Sequence, residues 1–330
     1  MKKEELFALG LIRGVGQKTI LIIIDYMGAK EIDSIKDVDI GDLVSKIKRK
    51  ETKEELLKNL EWNMFQKHIE SANREMISIE QKGIDIICIT EKSYPRLLKS
   101  TKNTPIFLYC KGDTSLLNST NKVAVVGTRN NTKHGKLITE KTVEFLCANK
   151  YTIVSGLALG IDTIAHQSTL NYQGKTISVL VDVDNIQPSR NRDLAEEILL
   201  HGGLLIAEEK PGVRISPTMF AKRDRIQSGL SFAVFPIETS KNGGTMHAAR
   251  DAIKENRLLY VPDIVKSGYM DTNIEQLEGI EYLIRDGSAI PYTKDTYSSI
   301  VASIKEKEKE FMITFDNVAT KHRSNNIIAG

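Results

Sequence analysis

The sequence has few of the residues that indicate a disulfide-stapled or membrane-spanning protein. It contains 3 cysteines in 330 residues, Cys88, Cys110 and Cys147, and no CxxC pair. Neither a disulfide framework nor a zinc site is therefore indicated, and Cys88 and Cys110 are predicted to be small buried hydrophobes. The longest strongly apolar run, residues 20–24, is far shorter than the roughly 20 residues of a membrane helix. The N-terminus also lacks the uninterrupted apolar core of a secretory signal, so we expect a cytoplasmic protein with no membrane partner.

Net charge is also small. Lysine and arginine number 46 and aspartate and glutamate 43, which gives a formal net charge of +3. This balance excludes a polybasic protein of the histone type, so any nucleic-acid surface must be local. Hydrophobic residues make up 41% and charged residues 27% of the chain, a composition that is typical of a folded protein and argues against global disorder.

The length of the chain fits about two domains. Residues 1–80 have apolar positions at helical spacing and predict a small helical N-terminal domain. Within it, Gly14 and Gly16 form a Gly-x-Gly turn between two helices, a pattern by which helix-hairpin-helix units offer backbone N–H groups to DNA phosphates. A tight helix connection without a ligand explains the same residues. Residues 293–330 predict a C-terminal helix and a polar tail, with no winged helix.

Residues 81–292 are predicted to form the large domain. A β-rich lead-in precedes six near-continuous apolar runs, at residues 123–128, 151–156, 176–183, 203–208, 231–238 and 257–264. Strands of this kind are buried on both faces, and the stretches between them are long enough for right-handed helical crossovers. The prediction is an α/β fold with a doubly wound, mostly parallel Rossmann-like sheet. Ligands bind to such sheets at the carboxyl ends of the strands, and residues after 264 predict short helices and turns.

The loop after the first of these six runs contains Gly127, Thr128 and Arg129, with Lys133 close behind. It does not match the GxGxxG dinucleotide fingerprint. A small residue, a hydroxyl and a guanidinium at the end of a strand nevertheless suit a phosphate. Residues 122–150 also have a local excess of basic residues, which indicates a positively charged surface here.

The second run ends in Ser155 and Gly156 and leads to Asp162 and His166. A glycine here lets the backbone turn tightly or approach a ligand, and Asp162 suits the N-cap of the next helix. Asp162 and His166 are four residues apart and share a helix face. Without a third ligand they do not indicate a metal site, so a structural cap and a packed histidine are favoured.

A third candidate segment places Phe220 beside Lys222, Arg223 and Arg225. Cations contact phosphates and an aromatic ring stacks on a base, so this segment suits a nucleic-acid strand. An ion pair of Asp224 with Arg223 or Arg225 explains the same residues.

A fourth candidate segment has consecutive glycines that open a helix, either an anion-binding nest or a plain helix N-terminus. It consists of Asn242, Gly243, Gly244 and Thr245.

Motifs of common catalytic sites are missing from the sequence. It has no P-loop, GxSxG elbow or HExxH motif, and no pair of catalytic carboxylates at adjacent spacing. Binding is therefore favoured over catalysis, and we expect no catalytic residue, metal or cofactor.

Four stretches in this order resemble the DNA-processing protein A (DprA/Smf) family. They are residues 123–135, 153–180, 220–231 and 243–262, and the resemblance extends over about residues 5–290. It implies a non-catalytic, usually dimeric protein with an extended Rossmann-like domain. Such a protein binds single-stranded DNA without sequence specificity and helps to load a RecA-type recombinase, in DNA uptake during natural transformation or in recombination.

The resemblance also implies roles for individual positions. Residues 127–129 match the strand-end motif of the family, and Lys222, Arg223 and Arg225 match its RNR-type segment. These positions are similar to those that line the DNA pocket of the family. Together with Lys133, Ser155, Gly156, Phe220, Asn242, Gly243, Gly244 and Thr245 from the other candidate segments, they make fourteen predicted DNA contacts. Asp224 stands where the family usually has asparagine, which adds a negative charge and predicts weaker or redirected DNA binding.

Two other functions stay open from the sequence. Phosphoribohydrolases that resemble lysine decarboxylases share this sheet and have a Gly-Gly-x-Gly-Thr loop, so a nucleotide-binding sensor or an enzyme of that type is the first alternative. Ala248 and Ala249 stand where such an enzyme needs an acid. The second is a protein-interaction scaffold whose DNA loops have drifted, supported only by Asp224.

Overall fold

A computed structural model describes residues 1–269 and 273–327 of the chain, with the side chains of the last helix up to Phe315. Residues 270–272, predicted among short helices and turns, and residues 328–330 of the predicted tail lie outside the described residues. The chain begins with helices alone, as the apolar spacing predicts. These are α1 (Lys3–Leu11), α2 (Gln17–Ala29), α3 (Ile40–Ser45), α4 (Lys50–Asn59) and α5 (Trp62–Glu80).

The Gly-x-Gly turn connects α1 to α2. Gly14 has a φ of +79°, a conformation that glycine adopts without strain, and Gly16 immediately precedes α2. The side-chain amide of Gln17 donates a hydrogen bond to the carbonyl oxygen of Thr104 at 2.5 Å. This bond ties the turn to the lead-in of the sheet, and the predicted contact of the turn with DNA phosphates stays a prediction.

The strands of the described chain form one nine-stranded sheet. They are β1 (Asp85–Cys88), β2 (Phe107–Gly112), β3 (Lys122–Val126), β4 (Thr152–Ser155), β5 (Thr176–Leu180), β6 (Leu204–Ala207), β7 (Ala233–Pro236), β8 (Leu258–Pro262) and β9 (Ile290–Tyr292). The order across the sheet is β1-β2-β6-β5-β4-β3-β7-β8-β9. Strands β3 to β9 pair in parallel, and β1 and β2 add an antiparallel edge. The predicted mostly parallel α/β sheet is confirmed.

Alternate residues of the central strands pack on two hydrophobic clusters, one on each face. In β3, Val123 and Val125 belong to one cluster, whereas Ala124 and Val126 belong to the other. Successive side chains of a strand point to opposite faces, so a strand that is covered on both faces needs apolar residues at every position. This explains the near-continuous apolar runs of the sequence.

Helices cover both faces of the sheet. The helices that follow β1 are α6 (Arg96–Lys99), α7 (Lys133–Ala148), α8 (Ile161–Asn171), α9 (Arg192–Leu200), α10 (Pro217–Gly229), α11 (Thr245–Lys254), α12 (Glu275–Arg285) and α13 (Tyr297–Ile327). Residues of α7, α8 and α13 join the cluster of Val123, and residues of α10, α11 and α12 join that of Ala124. No helix in the described ranges is long and apolar enough to cross a membrane.

Two details of the C-terminal part differ from the prediction. Residues 290–292, predicted among short helices and turns, form β9 and pair in parallel with β8. The stretch predicted as a helix followed by a polar tail is helical from Tyr297 to Ile327.

The chain reverses its direction of travel across the sheet beside β3. It passes from β3 through β4 and β5 to β6, then returns to the other side of β3 to form β7. The loops that follow β3 and β7 therefore leave adjacent parallel strands in opposite directions and open a crevice between them.

Candidate functional site

A cavity of about 440 Å³ lies at this crevice. It is lined by the loops after β3 and β7, by the loop that leads into α8, and by one side of α10. A volume of this size falls in the range of small-ligand sites, which are commonly found at the switch point of an α/β sheet. The cavity therefore marks the candidate site.

The loop after β3 places Arg129 at the cavity. The N–H of Thr128 donates to the carbonyl oxygen of Glu238 at 2.8 Å, and its own carbonyl accepts from Ile161 at 3.1 Å. A Cβ on Gly127 would lie 2.5 Å from the side chain of Ile161, so only glycine fits there. The Arg129 guanidinium lies 5.9 Å from the ring centroid of Phe220. It is exposed and has no ion-pair partner among the described residues.

Glu238 holds the other end of this loop and was not identified from the sequence. Its buried carboxylate accepts hydrogen bonds from the N–H of Thr132 at 2.9 Å and from the Thr132 hydroxyl at 2.6 Å. The Tyr269 hydroxyl donates to the same carboxylate at 3.1 Å. A Cβ on Gly135 would lie 2.2 Å from it. These donors come from distant segments of the sequence, so no local pattern signals the role of Glu238.

The loop after β4, which leads into α8, lines the cavity at Ala158 and supports it from behind through buried residues. The Ser155 side chain is buried and donates to the carbonyl oxygen of Val125 at 2.7 Å. Gly160, not Asp162, precedes the first residue of α8, so the predicted N-cap is wrong. The Asp162 carboxylate instead accepts from the N–H groups of Gly156 and Ala158, at 3.2 and 3.4 Å. Its role is structural, as favoured from the sequence.

His166 is fully buried and packed, as predicted. Its Nδ1 lies 2.7 Å from the hydroxyl oxygen of Thr176. Burial, together with the nearby charge of Arg223, lowers the pKa of His166 to about 3. The imidazole is therefore neutral at physiological pH and adds no charge to the cavity.

Arg223 points into the protein and is almost completely buried. Its guanidinium pairs with Asp224 at 2.8 Å and lies 3.9 Å from Asp162, and it donates to the carbonyl oxygen of Gly156 at 2.8 Å. Burial raises the pKa of Asp224 to about 6, although the charge of Arg223 opposes this shift. The ion-pair interpretation of this segment is thus correct for Arg223.

The other two cations of α10 face away from the cavity. Arg225 pairs with Glu208 at 2.6 Å and donates to the carbonyl oxygen of Asn103 at 3.0 Å. Lys222 pairs with Glu209 at 2.7 Å and with Glu208 at 3.2 Å. The three cations of this segment therefore do not form one basic patch.

The glycine segment after β7 lines another part of the cavity. Gly244 immediately precedes α11, and within the described chain the N–H groups of Gly244 and Thr245 donate to no acceptor. Unpaired N–H groups at the N-terminus of a helix attract anions. This part of the cavity is therefore rich in hydrogen-bond donors.

The structure brings together eight of the fourteen residues predicted as DNA contacts. The eight that line the cavity are Gly127, Thr128, Arg129, Phe220, Arg223, Gly243, Gly244 and Thr245. The six outside its lining are Lys133, Ser155, Gly156, Lys222, Arg225 and Asn242. Lys133 and Asn242 are exposed, whereas Ser155 and Gly156 are buried behind the cavity.

Comparison with known proteins places this arrangement in a family. The family model for DNA recombination-mediator protein A matches residues 85–302. The DNA processing protein DprA of Bacillus subtilis is 34% identical over 188 residues, which cover 57% of this chain and 63% of that protein. The protein Smf of Borreliella burgdorferi is 31% identical over 249 residues, covering 72% of this chain and 75% of that protein.

Two solved structures of DNA processing protein A have a fold similar to that of this chain. DNA processing protein A from Streptococcus pneumoniae superposes with a TM-score of 0.74 at 26% identity, covering 90% of this chain and 98% of that one. The same protein from Helicobacter pylori, whose structure concerns its binding mode for single-stranded DNA, gives a TM-score of 0.59 at 29% identity, with 67% and 96% covered. The chain therefore belongs to the DNA recombination-mediator protein A family.

Proposed function

We propose that this chain binds single-stranded DNA through the cavity, without requiring a defined sequence. The observation that carries this proposal is the position of Arg129, an exposed guanidinium with no ion-pair partner in the described chain, 5.9 Å from the Phe220 ring centroid. A free cation contacts the phosphate backbone and an aromatic ring stacks on any base. The relative from Helicobacter pylori, studied for its binding of single-stranded DNA, supports the same ligand.

The donor-rich part of the cavity offers a place for a DNA phosphate. The free N–H groups of Gly244 and Thr245 stand at the start of α11, a helix of 10 residues, and a helix N-terminus favours an anion. Arg129 lines the same cavity. We infer that a DNA phosphate lies between these groups.

The partner proposed for the DNA-bound chain is a RecA-type recombinase, which the chain helps to load during DNA uptake in natural transformation or during recombination. Membership of a family of recombination mediators supports this role. A homodimer is proposed with it. Light scattering at micromolar concentration tests the dimer, and strand exchange by RecA on DNA coated with single-strand-binding protein tests the loading.

The DNA proposal predicts a specific effect of Arg129→Ala. We expect this change to weaken binding to single-stranded DNA about tenfold and to reduce the slope of log affinity against log salt by about one, because one phosphate contact is lost. Fluorescence anisotropy with a labelled oligonucleotide, single-stranded and duplex, measures both quantities across a salt series.

Lys222→Ala is the matched control. It removes a cation from α10 that pairs with Glu208 and Glu209 outside the cavity lining, so we expect affinity to change less than about twofold. Equal losses in the two variants would show that binding depends on overall charge and not on the cavity. No binding by the wild type at low salt would reject the proposal and favour a free nucleotide as the ligand.

A further inference from the structure

The cavity lining contains as many aspartates as arginines, which sets it apart from a simple phosphate-binding site. They are Arg129 and Arg223, and Asp162 and Asp224. Arg223 is already paired with Asp224 at 2.8 Å and donates to the carbonyl oxygen of Gly156 at 2.8 Å. The two charges of this pair neutralise each other, so among the described lining residues Arg129 and the N–H groups of Gly244 and Thr245 are left to attract an anion.

The side of α10 that faces the cavity offers hydrogen-bond acceptors. Asp224 Oδ1 accepts from Arg223 Nη1 at 2.8 Å and from the Gln227 amide at 2.9 Å. No described residue donates to Asp224 Oδ2, and the Asp224 side chain is 15% exposed at the cavity. Gln227 also lines the cavity, and its Oε1 is buried with no hydrogen-bond partner among the described residues. A phosphate on this side would meet hydrogen-bond acceptors, whereas a group that donates hydrogen bonds would find partners.

The glycine segment after β7 has the reverse character, because Gly244 and Thr245 present unpaired N–H groups within the described chain. Arg129 lines the same cavity and lies beside Phe220, a residue of α10. A nucleotide that binds its phosphate at these N–H groups can present the polar edge of its base to Asp224, which lines the same cavity. The four bases differ in that edge, because cytosine has an amino donor at the position where thymine and uracil have a carbonyl acceptor.

We propose that Asp224 makes the cavity discriminate between bases, accepting a base with an exocyclic amino group, such as cytosine, and disfavouring thymine and uracil. The discrimination applies to the one nucleotide that the cavity holds. It gives the protein a preference for base composition, not for a sequence. It depends on the proposed DNA binding and adds to it a specificity-determining residue.

The test compares oligodeoxycytidine with oligodeoxyuridine, each of about 20 nucleotides. The two bases differ only at the edge that faces Asp224. By fluorescence anisotropy, the wild type is expected to bind oligodeoxycytidine about three- to tenfold more tightly, the effect of one charge-assisted hydrogen bond that is made or lost. Asp224→Asn is expected to reduce this ratio to within about twofold, mainly by strengthening the binding of oligodeoxyuridine, since the amide carries no charge and also donates.

Asp251→Asn is the matched control, because it removes a carboxylate charge near Asp224 from a residue outside the cavity lining. The wild-type ratio should persist in this variant. Equal affinities of the wild type for both oligonucleotides, or an unchanged ratio in Asp224→Asn, would overturn the assignment of Asp224 while leaving DNA binding intact. Failure of the wild type to bind either oligonucleotide would reject DNA binding and this discrimination together.

Discussion

Gly156 and Arg223 pack so closely that position 156 has no room for a side chain. A Cβ on Gly156 would lie 1.8 Å from Arg223 Nη1, while Arg223 Nη2 donates to the Gly156 carbonyl oxygen at 2.8 Å. A side chain at 156 would displace the guanidinium and leave Asp162 and Asp224 buried without their counter-charge. Gly156 is thus needed for the packing behind the cavity.

Gly156→Ala is therefore expected to lower the free energy of unfolding by about 3 kcal/mol, through overpacking and a disrupted buried ion pair. Urea denaturation followed by circular dichroism measures this change. Gly244→Ala is the control, because a Cβ there meets no atom within 4 Å and the backbone is already helical, with φ −57° and ψ −36°. We expect its stability to stay within about 0.5 kcal/mol of the wild type. A wild-type urea midpoint in Gly156→Ala would contradict the packing described.

Sequence alone could place Gly127 and Arg129 at the site, because the carboxyl end of a parallel strand fixes where its loop lies. It offered an ion pair of Asp224 with Arg223 or Arg225, but it could not show which cations of α10 face the cavity. Positions 222, 223 and 225 point in different directions around a helix, and their partners Glu208 and Gly156 come from other segments. The direction of a side chain on a helix thus depends on tertiary neighbours that local spacing does not reveal.

At the scale of elements, α13 covers one face of the sheet. Ile300 and Ile304 are buried in the cluster of Val123. The ring of Phe311 meets that of Phe232 edge-on, with 5.8 Å between their centroids. Helix α13 has little apolar character of its own, so its contacts with the sheet stabilise it.

Ile304→Ala is expected to destabilise the protein by about 3 kcal/mol, since it leaves a cavity in a fully buried position. Ile313→Ala changes the same residue type on the same helix, but Ile313 is 54% exposed, so a change within about 0.5 kcal/mol is expected. Thermal or urea unfolding compares the two variants. Equal effects would mean that α13 does not pack on the sheet as described.

The strands differ in how well their sequence predicts them. Those covered on both faces, such as β3 and β4, are continuous apolar runs and were predicted to within two residues at either end. Strand β9 was missed because it has only three residues, two of them exposed, with Pro291 at its centre. Its pairing with β8 comes from the fold, and local propensity gives no signal for it.

At the scale of the whole molecule, the N-terminal helices share a hydrophobic core with the sheet. One cluster of buried residues includes Leu6 and Phe65 from the helices and Ile87 and Leu108 from β1 and β2. Helix α5 leads directly into β1. A core that is continuous between two parts of a chain couples their unfolding.

We therefore expect residues 1–80 and the sheet to unfold in one transition. Trp62 is the single tryptophan of the chain and lies at the start of α5, so its fluorescence reports on the helical part, while circular dichroism reports on the whole. The two urea curves should coincide. Loss of the Trp62 signal at a lower urea concentration than the loss of helicity would show instead that the helices unfold on their own.

The last strand of the sheet also has a consequence for the behaviour of the protein at high concentration. An open strand edge invites pairing with another chain, and proteins suppress this aggregation with short edges and with proline. Strand β9 combines both, since Pro291 leaves one of its three residues without an N–H donor. The seven parallel strands β3 to β9 therefore end in an edge that pairs poorly with a strand of another molecule. This edge protects the protein from aggregation into fibres on that side of the sheet.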